Sequence, residues 1–154
     1  METTAAAQVR RFIGKYSPEV ARTLRDSRRR MRALVPRGYE LVYDNYNALA
    51  IGYGPGERAS DAIVSLAGYP RWVTLFFLNG ANLDDPYGLL EGTGRQARSI
   101  RLGSAADLDR PEVTHLVEIA LRPHDAEFAR CPRIRTVIKS ISAKQRPRRP
   151  AVAG

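Results

Sequence analysis

The chain is poor in the residues that build most catalytic and metal sites. Its 154 residues include one cysteine, Cys131, and two histidines, His115 and His124. A single thiol excludes an internal disulfide framework and fits a reducing compartment. The histidines stand nine residues apart with Pro123 between them, so they share no helix face and lack zinc-ligand spacing. No apolar run approaches the roughly 20 residues that span a bilayer. The opening METTAAAQVRRF carries no apolar signal core. A cytoplasmic protein with no membrane partner is expected. No Gly-Lys-Ser/Thr occurs, which excludes a Walker A loop. No nucleophile elbow or ordered Ser/His/Asp set is visible, so no catalytic residue is assigned and a non-enzymatic role is expected. Acidic residues are missing altogether from positions 130–154.

What is present is arginine, distributed unevenly. The net charge is +9. Residues 1–37 hold ten Lys/Arg against three Asp/Glu, residues 38–129 hold seven against thirteen, and residues 130–154 hold eight against none. Net charge bears on partners and solubility rather than on fold. The cationic surfaces are therefore expected at the two ends of the chain.

Val9, Phe12 and Ile13 have helical spacing. Ser17-Pro18-Glu19 then restarts a helix, with serine as cap and proline at the first helical position. Its apolar stripe is Val20, Leu24, Met31, Leu34 and Val35, and Arg22, Arg25, Arg28, Arg29, Arg30 and Arg32 occupy much of the rest. From 39 to 102 short β-rich segments follow: YELVYD, NALAIGYG, AIVSLAGY, RWVTLFFL and ARSIRL, punctuated by turn formers. Connections this short favour antiparallel neighbours. Asp109-x-x-Glu112 resembles a capping box ahead of a helix over 111–121. RTVIKSIS reads as a last edge strand, and residues 144–154 as a basic, proline-rich mobile tail. The plan is α+β: one domain over 1–143, about five mostly antiparallel strands, and N- and C-terminal helices on one face.

Gly92-Thr93-Gly94 fits the letter of a dinucleotide loop, but ARSIRL after it alternates like a strand and no βαβ unit surrounds it. A glycine-permitted turn is the reading that results. Strand parity puts Arg95 and Arg101 on one face and Arg98 on the other, with Ile100 and Leu102. Beside glycine N–H groups these arginines would hold an anion, the alternative being solvated surface charge. Tyr43, Tyr46 and Trp72 add aromatic surface on the early strands, for a ligand, a core or a homodimer interface. An anionic small ligand or protein partner is thus expected on the sheet face and loop 79–95, through Tyr43, Tyr46, Arg71, Trp72, Arg95, Arg98 and Arg101. A second reading is nonspecific nucleic-acid contact through helix 18–35 and the tail, using Arg28, Arg29, Arg30, Arg32, Lys144, Arg146, Arg148 and Arg149.

Residues 71–102, RWVTLFFLNGANLDDPYGLLEGTGRQARSIRL, resemble the YdhG-like domain family, a domain of unknown function whose loop pattern G-A-x-L-x-D-P-x-G-L-L-E-G-x-G they match. The resemblance covers roughly residues 8–122. It implies a small α+β, frataxin-like fold and, for some members, an iron-chaperone role. Frataxin-type iron sites use an acidic ridge on the first helix and strand. Here the matching helix is arginine-rich, with only Glu19 and Asp26, so no metal residue is carried over. Iron enters as a third reading, by resemblance alone, and no other cofactor is expected.

Overall fold

The computed structural model describes residues 4–151. It contains four α-helices, α1 (Ala5–Gly14), α2 (Pro18–Leu34), α3 (Pro111–Leu121) and α4 (Asp125–Ala129), among those residues. Six strands form one sheet: β1 (Tyr39–Asp44), β2 (Leu49–Gly54), β3 (Val64–Gly68), β4 (Val73–Phe77), β5 (Arg98–Leu102) and β6 (Arg135–Ile141). The strand order is β5-β4-β3-β2-β1-β6. The expected α+β fold and its first five antiparallel strands are present. The sixth strand lies at the edge as expected but runs parallel to β1. Its connection is long, with α3 and α4 inside it, so the short-connection rule that fixes the other pairs does not reach it.

The register explains why the sheet has one dry face. Ile138, Val42, Ile51, Leu66, Leu75 and Ile100 are successive cross-strand partners, an unbroken apolar row from edge to edge. Against this face pack Val9, Phe12 and Ile13 of α1, Val20, Leu24 and Met31 of α2, and Val113, Leu116 and Val117 of α3. Fully burying one such side chain contributes about 1.5–3 kcal/mol. Side chains alternate along each strand, so the neighbouring row faces away from the helices. That row reads Ser140, Tyr43, Ala50, Ala67, Thr74 and Arg101. It is built largely of small side chains, which leaves a shallow floor.

Local chemistry sets the helix ends. Thr4 and Ser17 cap α1 and α2 through their side-chain oxygens, and Pro18 and Pro111 sit in the first turns of α2 and α3. The capping-box expectation at Asp109 fails. Asp109 belongs to a 3₁₀ turn over 105–109, and its carboxylate takes the Arg30 guanidinium instead. Glycine is required at 38, where φ is +121° and a Cβ would meet the Gly54 carbonyl oxygen at 2.7 Å. No described helix is long and apolar enough to cross a membrane.

Candidate functional site

Strand β1 carries two carboxylates on the helix-facing side, Glu40 and Asp44, both 0% exposed. A buried carboxylate demands compensation: Glu40 obtains its cations from α2, and Asp44 from Lys15 and the C-terminal segment. Glu40 accepts from Arg28 on both oxygens, at 3.0 and 2.9 Å, from Arg32 at 2.9 Å, and from the Tyr53 and Thr136 hydroxyls at 2.7 Å each. Burial by itself raises the Glu40 pKa. The Arg28 hydrogen bonds and charge, with Thr136 and Tyr53, outweigh it and hold the carboxyl below its ordinary value. Burial, with the Glu40 charge beside it, pushes the Tyr53 phenol well above its own.

Asp44 is held by Lys15 at 2.7 Å and by Arg148 at 3.0 Å. Burial again acts upward, but hydrogen bonds from Lys15, Gln145 and Arg148 hold the Asp44 carboxyl low. Arg148 is only 6% exposed, and its guanidinium also donates to the Asn45 and Tyr46 carbonyls. Around it the Arg146 N–H donates to the Tyr46 carbonyl, Gln145 to the Asp44 carbonyl, and Arg149 to the Lys15 carbonyl. Residues 144–151, expected as part of a free tail, are therefore docked. Composition describes the segment's polarity, but a buried Asp44 needs a cation and Arg148 supplies it. The remaining tail residues, 152–154, lie outside the described ones.

Docking the segment creates a groove. One hollow of about 630 Å³ lies between the β1–β2 turn, the β3–β4 turn and the C-terminal segment, with Arg71, Arg146 and Arg149 among its lining. All three are exposed, and among the described residues none has a carboxylate within ion-pair distance. The Arg146 guanidinium stands over the Tyr46 ring, 5.7 Å from its centre. Tyr69, on the opposite lip, has its ring 5.9 Å from that of Trp72. Arg101 continues the line by stacking on Trp72 at 3.8 Å. Guanidinium groups on aromatic faces keep their N–H edges available for an anion.

The residues expected to form one site divide into two groups. Tyr46 and Arg71 line the groove, and Trp72 with Arg101 adjoins it through Tyr69. Arg98 does not: its guanidinium donates to the Gly94 and Ala97 carbonyls of its own loop. Arg95 sits in the same exposed loop and is not a lining residue. Tyr43 shares the sheet face, but its hydroxyl is buried without a hydrogen-bond partner among the described residues and burial raises its pKa. Loop 79–95 turns the other way, with Leu83, Leu89 and Leu90 on the core and Tyr87 bonded to His115 of α3 at 2.6 Å. Its glycine turn is a hairpin closed by Glu91 and Ser99, which exchange both backbone hydrogen bonds. No helix follows Gly94.

Four of the arginines of α2 are engaged as well, while Arg22 and Arg25 are exposed. Arg28 and Arg32 serve Glu40, Arg30 serves Asp109, and Arg29 pairs with Asp26. Of the nucleic-acid set, Arg29, Lys144, Arg146 and Arg149 stay exposed, Arg29 with Asp26 as its surface partner. Among the described residues no group of three or more His, Cys, Asp and Glu is placed to hold a metal ion.

Asn45, Asn47 and Tyr69 are groove residues that were not among those expected at the site. The signal was there in part: the β1–β2 and β3–β4 turns lie at the same end of the sheet and both carry tyrosine. What anchors the C-terminal segment on the first of these turns is Arg148, whose partner cannot be read from spacing. No protein-family description, curated protein or solved structure matches this chain.

Proposed function

We propose that this protein is a non-enzymatic binding domain for an anionic small ligand, which it takes in the groove between residues 45–48, 69–72 and 146–151. The observation that carries the reading is the convergence of Arg71, Arg146 and Arg149 on one hollow with no carboxylate paired to them among the described residues. Seven other arginines, Arg28 and Arg148 among them, pair with a carboxylate, whereas these three share one hollow and pair with none among the described residues. Guanidinium forks match phosphate and carboxylate oxygens two at a time. The small α+β fold agrees with the YdhG-like resemblance, and on the residues of loop 79–95 membership of that family is part of the proposal.

Calorimetric titration with inorganic pyrophosphate tests it. Saturable binding that weakens about tenfold in Arg71→Ala supports the reading, since a charge-assisted hydrogen-bonded contact contributes about 1.5–3 kcal/mol. Absence of binding, or binding indifferent to the substitution, rejects it.

A second reading has one observation in its favour. Lys144, Arg146 and Arg149 project from a single docked segment, a short cationic strip suited to phosphate contact without base recognition. With three contacts, DNA affinity would fall with salt at a log–log slope of about −3. A slope near zero would remove it.

A further inference from the structure

The cationic hollow opens into a second recess of about 500 Å³ on the same sheet face, and the two share Asn47 and Tyr69. Ala50 and Ala67, cross-strand partners on β2 and β3, lay its floor. Their small side chains leave room that longer ones would fill. Phe76, Tyr46 and Tyr69 form its aromatic walls, and it is bordered by Asn47 and by Asn45, whose amide oxygen accepts from the Ser140 hydroxyl at 3.2 Å. A flat heterocycle answers this combination: its faces suit aromatic walls, and its ring nitrogens and exocyclic groups suit an amide, which both donates and accepts. An alkyl chain would fill the same space but leave the amides unused on desolvation. At the adjoining mouth Arg71, Arg146 and Arg149 call for an oxyanion. Two hollows within the small-molecule range of about 300–1,000 Å³ suit a free molecule better than a strand.

Resting on the anion-site reading above, we propose that the groove takes a nucleoside monophosphate, its base over Ala50 and Ala67 and its phosphate at Arg71, Arg146 and Arg149. Each part of the ligand has its own comparison compound. Adenosine 5′-monophosphate should bind about tenfold or more tightly than ribose 5-phosphate, which has the phosphate and no base. Ala50→Leu, which fills the floor, should bring the nucleotide down to the affinity of ribose 5-phosphate and leave that compound and pyrophosphate unchanged. Circular dichroism checks that the variant is folded, and the comparison of compounds on the wild-type chain stands without it. Equal affinity for nucleotide and ribose 5-phosphate would overturn the nucleoside assignment while leaving the anion site intact. Failure of pyrophosphate, ribose 5-phosphate and nucleotide alike would overturn both. A 5′-phosphorylated oligonucleotide binding more tightly than the mononucleotide would overturn the free-nucleotide assignment in favour of a strand.

Discussion

Arg148 and Asp44, 104 residues apart in sequence, meet at 3.0 Å in the interior, with the arginine 6% exposed and the aspartate 0%. The pair ties the C-terminal segment to the end of β1 and places the neighbouring Arg146 and Arg149 on the groove. Removing Arg148 leaves the buried Asp44 carboxylate with Lys15 as its remaining ion-pair partner among the described residues. Arg148→Ala should cost about 1.5–3 kcal/mol in urea unfolding, the range of a hydrogen bond to a charged group. It should also speed tryptic cleavage after Lys144, because the segment loses its anchor; Arg146 and Arg149 precede prolines and resist trypsin. Unchanged cleavage in a destabilised variant would mean that the segment is held by something else.

Acid should unfold the protein through β1. Glu40 and Asp44 both have folded pKa values below their ordinary ones of 4.5 and 3.8. The unfolded chain therefore binds more protons between the two sets of values, and stability rises with pH there. The contribution is complete above 4.5 and is lost as pH falls through the lower, folded values. Urea midpoints measured from pH 7 down to pH 2 should drop on this limb, and Glu40→Gln should shrink the drop while lowering stability at neutral pH. A midpoint flat through the acid range would contradict the ion-pair geometry.

Arg101 and Arg98 sit on opposite faces of β5 and should behave differently. Arg101 lies over Trp72 at 3.8 Å, and Trp72 is the chain's single tryptophan, so its emission reports the contact directly. Arg101→Ala should shift that emission and cost about 0.5–1 kcal/mol, the range of an exposed cation–π contact. Arg98→Ala should leave the emission alone, since its hydrogen bonds run to Gly94 and Ala97.

At the entry to β1, Gly38→Ala should lower the thermal midpoint. The positive φ costs about 1–3 kcal/mol for a residue with a Cβ. The Gly54 carbonyl at 2.7 Å adds a clash with backbone, which cannot rotate away as a side chain would. A midpoint equal to wild type would show that the β1 entry relaxes at no cost.

Much of this fold was legible in the sequence because its signals are local. Val9, Phe12 and Ile13 announce α1, Ser17-Pro18 announces the start of α2, and alternating apolar residues mark the five antiparallel strands. The direction of β6 was not legible, since a long connection leaves both orientations open. Half of the candidate site was legible too: residue type picks out Tyr46, Arg71 and Trp72, and strand parity places Arg101. Arg98 misled because a glycine loop beside an arginine looks the same whether the guanidinium faces a ligand or its own loop's carbonyls. The basic ends misled for a related reason. Charge counts see Arg28, Arg32 and Arg148 as surface, whereas two carboxylates on β1, spaced four residues apart in the sequence, draw them inward.

The central claim is that anion binding belongs to the groove and not to the positive charge of the chain at large. Two double variants with equal loss of charge separate these. Arg146→Ala/Arg149→Ala removes the groove's cations, and Arg22→Ala/Arg25→Ala removes exposed ones from α2. Pyrophosphate affinity measured by calorimetry at one fixed ionic strength should fall about a hundredfold for the first pair and less than about twofold for the second. Equal losses in the two would show that net charge alone attracts the anion, and the groove would then have no part in it.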